Sequence, residues 1–105
     1  MPEVSVIMSV YNADNYDILV NSVNSILNQS FKDFEFIICD DGSSNVETRK
    51  FLKKINELDS RIKIIGYDQN RGLAYSRNQC IKISRGKYIA FQDDDDISES
   101  NRLKE

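Results

Sequence analysis

The sequence predicts a doubly wound α/β domain with a mainly parallel sheet in the strand order 3-2-1-4. Four short runs rich in Val, Ile and Phe alternate with segments of helical periodicity. The runs begin at residues 4, 34, 62 and 88, a spacing close to the roughly 30 residues of one βαβ unit. None of the four glycines lies inside a proposed helix. Right-handed crossovers between such units place helices on both faces of the sheet, which gives three layers.

The predicted strands cover residues 4–9, 34–39, 62–67 and 88–92. Near-continuous apolar runs of this kind are typical of parallel strands that helices cover on both faces. Apolar residues three and four positions apart predict the helices between them. They are Leu19, Val23, Ile26 and Leu27 in the first, Phe51, Leu52, Ile55 and Leu58 in the second, and Leu73, Ala74, Cys80 and Ile81 in the third. A fourth helix is expected after Ser98, so the sequence reads as the front, truncated part of a longer protein.

The composition is that of one soluble globular domain: 105 residues, 40% apolar and 30% charged. The chain has no histidine, which excludes a histidine-based triad, an HExxH zinc site and an imidazole general base within it. Cys39 and Cys80 lie in apolar stretches without a CxxC motif, which favours a reduced, cytoplasmic setting. Neither a signal peptide nor an apolar run of about 18 residues, the length that spans a bilayer, is found.

The negative charge of the chain is concentrated in two places. The net charge is −3, and six of the 17 acidic residues lie in two clusters, Asp40 with Asp41 and the run 93–96. The other 11 acidic residues are outnumbered by 14 basic ones. Both clusters follow predicted strands, and doubly wound sheets bind ligands outside the carboxyl ends of their strands. The charge distribution therefore predicts a ligand site at this edge.

The four consecutive aspartates 93–96 follow an apolar strand directly. Massed carboxylates repel one another unless a cation or hydrogen-bond donors offset the repulsion. Mg²⁺ and Mn²⁺ prefer oxygen ligands, and Mg²⁺ typically takes one or two carboxylates together with substrate phosphates. Alternation along an extended chain pairs Asp93 with Asp95, and Asp94 with Asp96. The alternative interpretation is a solvated acidic turn before a helix.

The segment Asp40-Asp41-Gly42 also follows a predicted strand. An aspartate there could accept a hydrogen bond from a ribose hydroxyl or a pyrimidine N–H, and Gly42 would allow close approach of the backbone. The alternative is an ordinary turn with a helix cap, for which Asp, Gly and Ser are the expected residues.

Two further segments supply candidate binding groups. Tyr11 could lie flat against a base while Ser9 and Asn12 donate to it, or it could be a packed loop tyrosine. Arg71 and Arg77 flank the start of the third helix, where a planar guanidinium could bind a diphosphate or could simply be solvated. A bridging metal would reconcile an acidic site with a diphosphate ligand.

Five segments in order carry a family resemblance: VSVIMSVYN at 4–12, SILNQSF at 25–31, DDGSS at 40–44, RN at 77–78 and FQDDDD at 91–96. Together they closely resemble the amino-terminal half of family 2 inverting glycosyltransferases with the GT-A fold, a Rossmann-like α/β/α architecture. The resemblance covers the whole chain, 1–105, as the nucleotide-sugar-binding portion. It implies transfer of a sugar from a nucleoside diphosphate donor, most often a UDP-sugar, to an acceptor hydroxyl with inversion and with Mn²⁺ or Mg²⁺, in polysaccharide or glycoconjugate synthesis.

The resemblance also implies a set of site residues. The nucleotide-binding set is Ser9, Tyr11, Asn12, Asp41, Arg77, Asp93 and Asp94. In the family's DxD pattern the first acid approaches the ribose and the last binds the metal. The run of four leaves the ribose role open between Asp93 and Asp94, whereas Asp95 is the expected metal ligand with Asp93 beside it.

The resemblance places the acceptor site and the carboxylate general base beyond Glu105. This chain is therefore expected to bind donor nucleotide without catalysing transfer, and a saccharide or lipid-linked acceptor would bind through the missing half. The full-length protein is expected in the cytoplasm, peripheral to the inner face of the membrane. No nucleic-acid partner is expected, and the unpaired edge of the fourth strand could support a homo-oligomer.

Two other functions compete with this interpretation. A non-catalytic α/β interaction module could use the acidic rim for Ca²⁺ or for a basic partner. A phosphoacceptor receiver domain is disfavoured, because its acidic pocket needs acids after the first strand, where this chain has Ser9, Val10, Tyr11 and Asn12.

Overall fold

Four parallel strands form one sheet in the order β3-β2-β1-β4, and three helices connect them. A computed structural model describes residues 2–11, 16–43, 46–67, 69 and 71–92. The elements are β1 Val4–Val10, α1 Tyr16–Leu27, β2 Phe34–Asp41, α2 Val46–Leu58, β3 Ile62–Tyr67, α3 Leu73–Ile83 and β4 Tyr88–Phe91. The predicted α/β class and strand order are confirmed. Among these described helices, none is long and apolar enough to cross a bilayer.

The two faces of the sheet carry cores of different size. Partnered residues of parallel strands point to the same side, so the pairs Val6 with Phe36 and Ile7 with Ile37 define opposite faces. The even-numbered side chains of β1 and β2 form the larger core with α1 and α2. The odd-numbered side chains face α3 in a smaller cluster of Ile7, Ile37, Cys39 and Cys80. Helices therefore cover both faces, as the apolar strands predict.

Two strands run further than the sequence predicts. β1 continues to Val10, and β2 includes Asp40 and Asp41, which were expected in the following loop. The two acids remain in the strand because they pair with Gly66 and Tyr67 at the end of β3. The acidic cluster after β2 is thus part of the sheet. β4 ends one residue earlier than predicted, and the helix expected after Ser98 lies outside the described residues.

The apolar stripe that predicted α3 is not the face that this helix buries. Three of its four residues are exposed: Leu73, Ala74 and Ile81. Cys80 and Ser76 are the buried residues, since they lie one turn apart on the side that faces the smaller core. Leu58, at the last position of α2, is also exposed.

Association through the edge strand β4 stays a prediction.

The two cysteines are buried neighbours across the interface between β2 and α3. Both are free thiols with no exposed surface. The hydrogen bond with Cys39, together with burial, raises the pKa of the Cys80 thiol. Both residues therefore act as small apolar core residues, in keeping with the absence of a disulfide framework.

Glu35 forms a polar network at the amino-terminal edge of the sheet. Its buried carboxylate accepts hydrogen bonds from the Ser5 hydroxyl, the Lys63 ammonium at 2.8 Å and the backbone N–H of Arg85. The Gly86 N–H donates to the Ser5 Oγ at 2.8 Å. One carboxylate thus connects β1, β2 and β3 to the segment that leads into β4.

The surroundings of Glu35 also make the stability of the fold depend on pH. Burial alone would raise the pKa of Glu35, but the hydrogen bonds from Lys63, Ser5 and Arg85 outweigh burial and hold the pKa below its ordinary 4.5. A carboxyl with a lowered folded-state pKa stabilises the fold above its unfolded-state pKa. That contribution is lost as the pH falls through the folded-state pKa.

Replacing Glu35 by Gln should lower the free energy of unfolding by about 2 kcal/mol at neutral pH, because the amide cannot accept all three donors. The difference from the original protein should shrink as the pH falls through the folded-state pKa of Glu35. Urea unfolding at neutral pH, and again at a pH below the folded-state pKa of Glu35, measures the two free energies of unfolding. Glu57→Gln, a change of an exposed glutamate on α2, is the matched control with little expected effect. An equal loss in both variants would contradict the role of the network.

Candidate functional site

Three of the predicted nucleotide-binding residues lie on the same face of the sheet, at its carboxyl-terminal edge. Ser9 pairs with Cys39, so its side chain points to the α3 face. Asp41, two residues further along β2, points to that face as well. Arg77 of α3 lies over Phe91 at the end of β4. Tyr11 follows β1 directly and is half exposed. The fold therefore assembles one surface from β1, β2, α3 and β4.

Asp41 holds the start of α3 against the end of β2. Its carboxylate is buried, and its two oxygens accept from the backbone N–H groups of Arg71 at 2.7 Å and Gly72 at 2.9 Å. Gly72 has φ of +94°, a backbone conformation that residues other than glycine rarely adopt. Because both oxygens are engaged by backbone donors, the carboxylate has a fixed position at the edge.

Asp40 points to the opposite face and organises the turn after β2. Its side chain accepts from the Ser43 N–H at 2.9 Å, and its carbonyl accepts from the Gly42 N–H at 2.9 Å. Gly42 has φ of +76°, which suits glycine in a tight turn. The turn interpretation therefore describes Asp40, whereas Asp41 belongs to the assembled surface.

Two arginines lie over aromatic rings around the start of α3. The Arg77 guanidinium carbon is 4.8 Å from the centre of the Phe91 ring, and that of Arg71 is 5.5 Å from the centre of the Tyr75 ring. Such cation–π contacts restrict the guanidinium planes without neutralising their charge. The Arg77 guanidinium thus lies at the end of β4, and Arg71 contacts the Asp41 carboxylate through its backbone N–H.

The remaining predicted residues lie outside the described part of the chain: Asn12, Asp93, Asp94 and Asp95. Gln92 follows the last residue of β4, and its N–H donates to the Ile7 carbonyl at 2.9 Å. The Gln92 side chain donates to the Ser22 hydroxyl at 3.2 Å. Gln92 is thereby anchored to both β1 and α1, directly before the aspartate run in the sequence. Within residues 2–11, 16–43, 46–67, 69 and 71–92, no three metal-ligating side chains form a group.

The sequence did not reveal the backbone contacts of Asp41. An N–H donor carries no side-chain signal, and the only hint of this contact is a glycine, Gly72, directly before the third helix. Four basic residues of α2 were also not among the predicted site residues: Arg49, Lys50, Lys53 and Lys54. Their clustering in the sequence was the available signal.

Residues 5–105 match the model of the family described as Glycosyl transferase family 2. EpsE of Bacillus subtilis, assigned as a glycosyltransferase, is 43% identical over 103 residues. The match covers 98% of this chain and 36% of EpsE. WfgD of Escherichia coli, a UDP-Glc:alpha-D-GlcNAc-diphosphoundecaprenol beta-1,3-glucosyltransferase, is 40% identical over 101 residues, which cover 96% of this chain and 38% of WfgD. The chain thus spans well under half of these relatives.

The architecture has a close counterpart among solved structures. The crystal structure of S. aureus TarS 1-349 in complex with UDP-GlcNAc matches with a TM-score of 0.85 and 28% sequence identity. The match covers 97% of this chain and 29% of that chain. The sheet and its three helices are therefore shared almost in full with a protein that binds a nucleotide-sugar.

Asp41→Asn should destabilise the fold by about 2 kcal/mol, because one of the two backbone N–H groups loses its acceptor and faces an amide donor instead. Asp40→Asn is the matched control, since an asparagine oxygen can still accept from the Ser43 N–H. It should cost less than about 1 kcal/mol. Urea unfolding of both variants measures the difference, and equal losses would argue against the contact between Asp41 and the start of α3.

Proposed function

Because this chain belongs to glycosyl transferase family 2, we propose that its parent protein transfers a sugar from a UDP-sugar to an acceptor hydroxyl with inversion. In this proposal the 105 residues form the amino-terminal, donor-binding portion. The observation that carries it is the common face of Ser9, Asp41 and Arg77 at the carboxyl-terminal edge. Ligands of doubly wound sheets bind at such an edge. The fold is that of GT-A glycosyltransferases.

The nucleoside would be held by groups at the ends of β1 and β2. Asp41 would accept from the N–H of the base, since an ionised carboxylate offers about four lone-pair sites. A carboxylate already fixed by two donors needs little reorganisation when the base arrives. Tyr11, half exposed after β1, would stack on the base, and Ser9 and Asn12 would donate to the nucleoside.

The diphosphate would be held by cations on the side of β4. Arg77 would bind phosphate oxygens through its guanidinium fork, whose plane the Phe91 ring restricts. Asp93 and Asp95 would hold Mn²⁺ or Mg²⁺, for which carboxylate oxygens are suitable ligands. Such a metal would neutralise the diphosphate as it leaves. Asp93 or Asp94 would accept from the ribose.

The choice of donor and acceptor rests on the relatives. TarS 1-349 was solved with UDP-GlcNAc, and WfgD uses UDP-Glc with a diphosphoundecaprenol-linked sugar. A UDP-hexose donor and a saccharide or lipid-linked acceptor are therefore proposed for the parent protein, in polysaccharide synthesis. A lipid-linked acceptor would bring the protein to the inner face of the membrane. The interaction-module alternative is not favoured, because the matching relatives are glycosyltransferases.

UDP should bind the chain in the presence of Mn²⁺, and Asp95→Ala should weaken that binding by at least about tenfold, because a ligand of the metal is lost. Calorimetric titration of UDP with and without Mn²⁺ measures both effects. Asp33→Ala is the matched control, because Asp33 is exposed immediately before β2, at the opposite edge. Its affinity for UDP should be unchanged.

Arg77→Gln should weaken UDP binding in the presence of Mn²⁺, since the Arg77 guanidinium would bind phosphate directly. Metal-independent binding in the original chain, or equal losses in the Asp95 and Asp33 variants, would contradict the assignment of the aspartate run to the metal.

The isolated 105 residues should bind UDP-sugar without transferring sugar to any acceptor. Both acids at the described carboxyl-terminal edge, Asp40 and Asp41, hold backbone donors and are not available as a general base. A sensitive assay of radiolabelled sugar transfer tests this. Turnover by these residues alone would place the general base within them and refute the proposal that they form only the donor-binding portion.

A further inference from the structure

A cavity lies on the opposite face of the sheet from the proposed donor site. Its volume is about 560 Å³, within the range of small-molecule sites. It is bounded by α2 on one side and by Ile64 of the edge strand β3 on the other. Asp40, which points away from the donor face, also lines the cavity.

Three cations of α2 line this cavity: Arg49, Lys50 and Lys53. Arg49 and Lys53 lie one helical turn apart, so two like charges share one face at an electrostatic cost. Within the described residues the ion pairs are Arg61 with Asp59 and Lys63 with Glu35, and neither involves these cations. Within the described residues, none of the three thus forms an ion pair with Glu47 or Glu57, the two glutamates of α2.

The rest of the lining is suited to an organic anion. Leu52 and Ile64 provide an apolar floor, with Val46 at the first position of α2. Asn56 adds an amide that can both donate and accept. The carboxylate of Asp40 would repel an anion but would accept from a hydroxyl. The cavity therefore combines cations with an apolar wall and acceptors for hydroxyl groups.

The cavity is separate from the surface assigned to the donor. Asp41 and Ser9 point to the α3 face, whereas Asp40 and Ile64 lie on the face covered by α1 and α2. The two adjacent aspartates thus belong to different surfaces. A ligand could occupy the α2 cavity without displacing a nucleotide from the α3 face.

We propose that the cavity between α2 and β3 binds a phosphate-bearing ligand through Arg49, Lys50 and Lys53. Clustered cations bind phosphate oxygens through charge-assisted hydrogen bonds, and the guanidinium of Arg49 adds a planar fork. The phosphate belongs either to a soluble small molecule or to a lipid headgroup. This site does not depend on the donor site, so the two proposals fail independently.

Pyrophosphate is the probe for the soluble source, titrated into the chain in EDTA so that no divalent metal draws it to the donor site. Saturable shifts of the α2 amide resonances should appear by NMR. Arg49→Gln with Lys53→Gln should weaken binding by at least about tenfold, because two phosphate-binding cations are lost. Asp40→Asn should strengthen binding, because it removes the one negative charge of the lining.

The matched control is Lys54→Gln with Lys82→Gln, which removes the same charge from exposed lysines outside the cavity lining. Its affinity for pyrophosphate should stay within about twofold of the original. Co-sedimentation with phosphatidylglycerol vesicles, against phosphatidylcholine vesicles, tests the lipid source. Sedimentation that depends on Arg49 and Lys53 would identify a headgroup, and pyrophosphate binding alone would identify a soluble ligand.

Two outcomes would overturn the proposal. One is equal weakening in the control variant and the cavity variant, which would show a general effect of charge. The other is an absence of both saturable pyrophosphate binding and phosphatidylglycerol sedimentation. All three variants change exposed or half-buried side chains, and far-UV circular dichroism checks that each remains folded.

Discussion

The parallel pairing of β2 with β1 and β3 determines which way the side chains at the carboxyl-terminal edge of the sheet point. β2 is paired through Asp41, so side-chain alternation continues to the last residue of the strand. Asp41 is thereby directed to the α3 face and Asp40 to the α2 face. One acid fixes the start of α3, and the other forms the turn before α2. A shift of one residue in this register would exchange the two roles.

The amino-terminal edge of the sheet stabilises the fold, whereas the carboxyl-terminal edge is the proposed ligand site. At the amino-terminal edge, Glu35 uses its hydrogen-bonding capacity on Ser5, Lys63 and the Arg85 N–H, all within the fold. At the carboxyl-terminal edge, Tyr11 is half exposed and the Arg77 guanidinium lies over the Phe91 ring. A network that satisfies its own polar groups stabilises the fold, whereas a site keeps groups accessible to a ligand.

Much of this fold follows from patterns that act locally along the chain. Apolar runs at regular spacing, with right-handed crossovers, were sufficient to predict the order β3-β2-β1-β4. The length of β2 was not predicted, because aspartates are poor strand formers and pairing with the neighbouring strands keeps them extended. The buried face of α3 was also missed, since its apolar residues Leu73 and Ile81 lie away from the sheet. The Asp41 carboxylate accepts from the backbone N–H groups of Arg71 and Gly72. Donors of this kind leave no side-chain pattern in the sequence.

The donor nucleotide is proposed to bind at the α3 face of the carboxyl-terminal edge. Residue-resolved NMR of the chain during titration with UDP and Mg²⁺ is the decisive measurement. Binding at this face should shift the amides of Ser9, Tyr11, Asp41, Gly72 and Arg77 and leave those of Glu35, Arg85 and Gly86 at the opposite edge unchanged. Shifts confined to the Glu35 edge or to the α2 cavity, with the amides of Ser9 and Asp41 unmoved, would place the nucleotide elsewhere and refute the proposal.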